Sequence, residues 1–179
     1  MESSKQKYLT YLYTGDGKGK SSSAFGVALR AAGRGLNVNI TQFMKGPMFE
    51  SGEMMAIEKY LSELITISKF SGDHWINLKN PLQIDILLAE KTLDYAFEQI
   101  KKKPFVLILD EVNTASGFGL IKPEKVIEFC DQANKYSHVI LTGRRAPQEL
   151  IDRADLVTEM KNIKHPYDKG ILAVEGLEW

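Results

Sequence analysis

The chain has 179 residues, 44% hydrophobic and 26% charged, with 23 basic residues balanced by 23 acidic ones. That length suits one domain spanning residues 1–179 that buries a full core without disulfides, and the single cysteine, Cys130, excludes an intramolecular disulfide framework and a cysteine-rich metal site. Neutral charge argues against a nonspecific nucleic-acid binder, no apolar run approaches the roughly 18 residues of a membrane span, and Met1 to Lys7 lacks the apolar core of a secretory signal, so a cytoplasmic protein is expected.

The chain alternates strand and helix patterns. Tyr8 to Tyr13 is short, aromatic and β-prone, and Lys20 to Ala32 reads as a helix. Asn37 to Phe43 alternates apolar and polar residues, Gly52 to Leu61 is helical, and Leu64 to Phe70 alternates again. Ser71 to Pro81 is irregular and follows a strand, the usual place for a substrate loop in parallel α/β proteins. In the helix expected from Gln83 to Lys102, Ile86, Leu87, Ala89, Leu93, Ala96, Phe97 and Ile100 recur near a 3.6-residue period, and Pro104 stops it. Phe105 to Leu109 is continuously apolar, as in a central parallel strand covered on both faces. A helix beginning at Pro123, a buried strand at His138 to Thr142 and a helix from Pro147 to Asp152 complete the pattern. Such alternation predicts a three-layer α/β domain with a mostly parallel central sheet.

Between the first strand and the first helix lies T-G-D-G-K-G-K-S-S, Thr14 to Ser22. Its Gly-Lys-Ser end matches a phosphate-binding loop, in which backbone N–H groups and a helix start surround phosphate oxygens. Gly15, Gly17 and Gly19 allow close backbone approach to a ligand, with Asp16 and Lys18 between them. Lys20 supplies a positive charge, and Ser21 the hydroxyl that normally reaches magnesium; Ser22 follows on the same helix start. Thr14 stands where the standard spacing has glycine, so the loop is a variant. Asp110 and Glu111 end the most apolar strand, the expected place for an acidic element that holds or orients a metal beside the phosphates. Glu111 also suits a base activating water, and the sequence does not separate the two roles.

Taken together, the phosphate loop running on to A-L-R-A-A-G-R-G, then Q-F-M-K-G at Gln42 to Gly46, L-D-E-V at Leu109 to Val112, T-G-R at Thr142 to Arg144 and the closing K-H-P-Y-D-K-G-I-L-A-V-E-G-L-E-W resemble the bacterial ATP:corrinoid adenosyltransferases. The resemblance runs from about Tyr11 to the end of the chain and implies a phosphate-loop NTPase-like, RecA-like fold. It implies transfer of the 5′-deoxyadenosyl group of ATP to cobalt(I) of a corrinoid substrate, with release of triphosphate. It further implies a nucleotide reversed relative to ordinary NTPases, with the phosphate loop, Lys20 and a Mg2+ or Mn2+ ion on Ser21 and Glu111, Asp110 beside them, stabilising the leaving group. Lys20 and Glu111 are the catalytic candidates; Gln42, Lys45 and Arg144 join the loop as ligand-binding candidates.

The resemblance further implies aromatic residues under the corrin ring that displace its lower axial ligand. Trp75 aligns with one of them, whereas the partner position carries Asp73, a departure for which Phe70 or His74 could compensate. Only about seven residues precede the first strand, shorter than the arm of longer family members, which suggests a more open site or a different cover. A homodimer and an electron-donating reductase are the expected partners, with neither nucleic acid nor membrane. Among the remaining residues, Arg144 is favoured over Arg145 as a ligand contact, and His165 reads as a loop cap or a ligand contact. Asp168 and Gly170 suit a turn, Cys130 a small core residue, and Lys101 to Lys103 a solvated helix end. The alternatives kept open are an ordinary phosphate-loop ATPase or nucleotide kinase, and a paralogue that binds ATP or corrinoid without turnover.

Overall fold

The computed structural model describes residues 7–45, 50–70, 72, 74 and 76–178. Six parallel strands form one sheet: β1 (Thr10–Thr14), β2 (Val38–Gln42), β3 (Ile65–Lys69), β4 (Val106–Asp110), β5 (His138–Thr142) and β6 (Leu156–Glu159), in the order β3-β2-β4-β5-β1-β6. The helices are α1 (Lys20–Ala32), α2 (Gly52–Tyr60), α3 (Gln83–Ile100), α4 (Val112–Gly117), α5 (Pro123–Ala133) and α6 (Gln148–Arg153).

The continuous apolar run in β4 is explained by its two faces. Val106 and Ile108 pack with Ala24, Phe25 and Ala28 of α1 and Ile57 of α2. Leu107 and Leu109 point the other way, into a core with Leu93 and Ala96 of α3 and Phe129 and Cys130 of α5. Side chains of successive strand residues face opposite sides, so a central strand between two helical layers needs apolar residues at every position. Cys130 is fully buried, and burial pushes its thiol up to about 12, so it is a core residue that stays protonated.

Two elements depart from the sequence expectation. β6 was not foreseen: Leu156–Glu159 is exposed at every position, and its strand character comes from pairing its backbone with β1 at the sheet edge. α4 was not foreseen either, since V-N-T-A-S-G holds few strong helix formers and no apolar period. Among the described residues, no helix is long and apolar enough to cross a membrane.

The sheet order reverses direction beside β1. From β1 the chain crosses to β2, then fills the interval with β4 and β5. Loops after β1, β2, β4 and β5 therefore meet at the carboxyl end of the sheet, where parallel α/β proteins bind ligands.

Candidate active site at the carboxyl end of the sheet

The loop after β1 is moulded against the chain that follows β6. The Gly17 amide donates to the Met160 carbonyl at 2.7 Å. A β-carbon on Gly17 would stand 2.6 Å from the Lys161 carbonyl oxygen, and one on Gly15 would collide with Met160; Gly15 also has φ +97°. Only glycine fits this underside, which explains the alternating pattern better than ligand approach alone. Gly19, at φ 107°, opens α1 with no side-chain cap, so the first helical N–H groups are free to face an anion.

Lys20 turns its ammonium back over the loop and donates to the Gly17 carbonyl at 2.6 Å. Burial pushes its pKa down, and neighbouring Arg144 adds to that; Glu111, Asp16 and Asp110 oppose it. The sheet register brings three further side chains together. Gln42 pairs with Asp110 across β2 and β4, and Leu109 with Leu141 across β4 and β5, so Gln42, Asp110 and Thr142 stand in a row at three strand ends. Gln42 Nε2 donates to Asp110 Oδ2 at 2.9 Å, and Thr142 Oγ1 donates to Asp110 Oδ1 at 2.7 Å. Lys45 Nζ lies 3.5 Å from Oδ2. Asp110 is fully buried, which alone would raise its pKa; Lys45 and hydrogen bonds from Thr142, Ser21 and Gln42 outweigh burial and hold it below the ordinary carboxylate range.

Glu111 adopts φ 66°, a left-handed conformation uncommon outside glycine and concentrated at functional sites. Its amide donates to Thr142 Oγ1 at 3.0 Å, and its carboxylate accepts from Thr114 Oγ1 at 2.6 Å. Thr114 Oγ1 also accepts the Arg144 amide at 2.8 Å, which ties the β4 and β5 loops together. Gly143, with φ +134°, is required there because a β-carbon would stand 2.6 Å from the Thr114 amide nitrogen.

These elements enclose a cavity of about 440 Å³. Gly17, Lys18, Gly19, Lys20, Ser21 and Ser22 line one side of it. Gln42, Lys45, Glu111 and Arg144 line the other. Gly15 and Asp16 stand outside the lining, and Asp110 lies behind it, reaching the cavity only through Gln42, Ser21 and Lys45. Arg145 is not in the lining; its guanidinium lies over the Phe118 ring, 4.8 Å from the centroid. Trp75 and Asp73 lie outside the described residues, as does Gly46. Phe70 packs on Tyr95 at 5.0 Å between centroids, and His74 Nε2 is 2.9 Å from Asp85 Oδ1. His165 accepts the Tyr167 amide on Nδ1 at 3.1 Å and caps a 3-10 turn at Pro166–Lys169.

Sequence reasoning missed several members of the site. In the sequence Thr142 is the end of the His138 to Thr142 strand and the start of Thr-Gly-Arg, and its position next to Asp110 marks it as a site member once the strand order is known. Ser51 and Glu53, from the start of α2, and Leu177 and Glu178, from the far end of the chain, also line the cavity. Glu178 forms an ion pair with Lys18. Nothing local in those residues signals a position beside the loop.

Among the described residues no three His, Cys, Asp or Glu side chains cluster to hold a metal on their own. The site nonetheless fits a Mg2+-like cation, which keeps several waters and is bound by one or two protein oxygens plus substrate phosphates. Ser21 and Glu111 line the cavity, Asp110 lies behind, and the buried Oε1 of Gln42 has no hydrogen-bond partner.

A parallel α/β sheet carrying a glycine-rich loop at a helix start, with an acidic strand end beside it, is the architecture of a phosphate-loop NTPase-like fold. The model of the family described as ATP:corrinoid adenosyltransferase BtuR/CobO/CobP matches residues 6–179, and the chain belongs to that family. It is 36% identical over 176 residues to a corrinoid adenosyltransferase of Sinorhizobium sp., covering 97% of this chain and 81% of that one. It is also 36% identical over 170 residues to one of Pseudomonas aeruginosa, covering 94% and 82%. The corrinoid adenosyltransferase CobA of Salmonella typhimurium is 28% identical over 188 residues, covering 99% and 89%.

Proposed function

We propose that the chain transfers the 5′-deoxyadenosyl group of ATP to cobalt(I) of a corrinoid, releasing triphosphate, as a step of adenosylcobalamin synthesis. One observation carries this reading. The family's dispersed motifs, from Gln42 and Lys45, through Glu111 and Arg144, to Leu177 and Glu178, converge with the phosphate loop on one cavity.

Cobalt(I) is itself the nucleophile. Its electron pair forms the cobalt–carbon bond, cobalt becomes formally cobalt(III), and the C5′–O bond breaks with its electrons leaving on triphosphate. The protein therefore needs no nucleophile of its own. Its tasks are to hold the ribose carbon towards the corrinoid and to stabilise charge on the departing oxygens. The loop amides, the α1 start, Lys20, Lys45 and Arg144 serve the second task, and Lys18 adds charge at the rim. A divalent cation held by Ser21 and Glu111 would supply further electrostatic stabilisation of that leaving group. Asp110 orients Ser21 and Gln42 rather than touching substrate. Trp75 remains the proposed aromatic under the corrin. The resemblance further supports a single-domain, homodimeric, cytoplasmic enzyme supplied with electrons by a reductase.

The test is to mix the protein with ATP, Mg2+ and chemically reduced corrinoid. Triphosphate and a light-sensitive alkyl–cobalt product are expected in equal amounts. ADP and phosphate formed without corrinoid would replace this reading with that of an ATPase or kinase.

A further inference from the structure

Gln42 carries an observation that the assignment of the phosphate loop does not explain. Its side chain is 3% exposed and lines the cavity. Its amide orientation follows from its neighbour: Nε2 donates to Asp110 Oδ2 at 2.9 Å, while the other carboxylate oxygen accepts from Thr142 Oγ1. Oε1 is then turned the other way, buried and without a hydrogen-bond partner. An orphaned buried acceptor costs about 1–3 kcal/mol. Such a group, set in the wall of a ligand cavity, calls for a donor that arrives with the ligand.

The neighbours of Gln42 define that donor. Gln42 holds the Asp110 carboxylate, Ser21 acts on the same carboxylate, and both residues line the cavity, which puts Gln42 in the same wall region as the hydroxyl best suited to a cation. Lys45, 3.5 Å from the Asp110 carboxylate, provides the positive charge on this side of the site. A hydrated divalent cation brings water O–H donors to this place and, being of the Mg2+ type, keeps several of them. Backbone and side-chain groups that hold such waters orient the ion and commonly alter its affinity 10–100-fold when removed.

We propose that Gln42 is a positioning residue whose Oε1 accepts a hydrogen bond from a water of the cation's hydration shell, coupling metal binding to nucleotide binding. The proposal rests on the reading of the cavity as an ATP and metal site, but its test involves neither corrinoid nor adenosyl transfer. In this role Gln42 and Asp110 form a relay from the buried sheet end to the ion. Asp110 fixes the amide, and the amide presents oxygen to the water.

The experiment measures the affinity for ATP by calorimetry in excess Mg2+ and in EDTA, and takes the ratio as the metal–nucleotide coupling. Gln42→Met, which removes the acceptor, should reduce that coupling about tenfold and leave metal-free ATP affinity unchanged. Gln99→Met, which removes a buried, unpartnered Oε1 on α3 outside the cavity lining, should keep the coupling. Gln42→Glu, which retains an oxygen at the Oε1 position and, as a neutral acid, a donor to Asp110, should keep or raise it. Unchanged coupling in Gln42→Met overturns the proposal. So does an equal loss with and without metal, which would make the donor part of the nucleotide, or an equal loss in Gln99→Met, which would make the effect one of general destabilisation. If Gln42→Met fails to fold, Gln42→Glu decides alone, and a fall in coupling refutes the role. Absence of ATP binding by the wild-type protein, in contrast, would refute the underlying reading of the cavity.

Discussion

Thr142 closes the end of β4 by donating its hydroxyl to Asp110 at 2.7 Å. The same oxygen accepts the Glu111 amide at 3.0 Å, so one side chain on β5 sets a buried carboxylate and the backbone of the acid that faces the cavity. Thr142→Val should cost about 1.5–3 kcal/mol, the worth of a hydrogen bond to a charged group. Thr142→Ser should keep most of the stability. The deficit should also depend on pH. Because Asp110 is held below its ordinary range, its ionised form contributes stability in full above about pH 4, and that contribution fades as pH falls through the lower folded value. Denaturant unfolding of both variants in steps from pH 7 down through the acid range below about pH 4 checks this; a deficit that never shrinks on acidification would show that the ionised carboxylate is not the partner that matters.

Gly15 should tolerate no side chain. Its φ of +97° is strained for any L-residue, and a β-carbon would collide with the Met160 backbone. Gly15→Ala should lose roughly 1–3 kcal/mol from backbone strain alone. It should also weaken tripolyphosphate binding, because the loop must lift off the chain after β6. Gly26, whose β-carbon would meet nothing, is the control: Gly26→Ala on a helix interior should be neutral or stabilising. Thermal melts of the two variants side by side give the answer.

Lys20→Ala should reduce turnover with prereduced corrinoid about 10²–10³-fold, equivalent to about 2.7–4 kcal/mol for loss of one preorganised donor. The fold should survive, since Lys20 packs over its own loop and its ammonium donates to the carbonyl of Gly17 in that same loop. Near-normal single-turnover rates would remove Lys20 from leaving-group stabilisation.

The ion pair between Lys18 and Glu178 places a carboxylate at the rim of a cavity meant for a polyanion. Triphosphate must compete with it. Glu178→Gln should therefore tighten tripolyphosphate binding two- to fivefold at low salt, about the worth of a half-exposed pair, with the difference shrinking as salt rises. Calorimetric titration at two ionic strengths measures it, and weaker binding in the variant would mean that Glu178 helps to hold the ligand side of the loop.

What could be read without coordinates follows from local physics. The unbroken apolar run before Asp110 marks a strand buried on both faces, and the Ile86-to-Ile100 period marks one face of a helix. The glycine-lysine-serine loop marks an anion site because its chemistry lies in consecutive residues. The exposed β6 and the six-residue α4 carry no such signal, since backbone pairing in one case and strand-end contacts in the other hold them in place.

The α/β class, the phosphate loop and the motif set that resembles the corrinoid adenosyltransferases are all written in short runs of neighbouring residues. That Asp110 stands behind the cavity while Glu111 faces it, that Gln42 and Thr142 hold Asp110 from either side, and that Glu178 reaches Lys18 emerge only in the folded chain. Those relations depend on which strands lie side by side and where the chain returns. Strand order is selected by how the two helical layers bury both faces of the sheet together, a cooperative property that no single segment encodes.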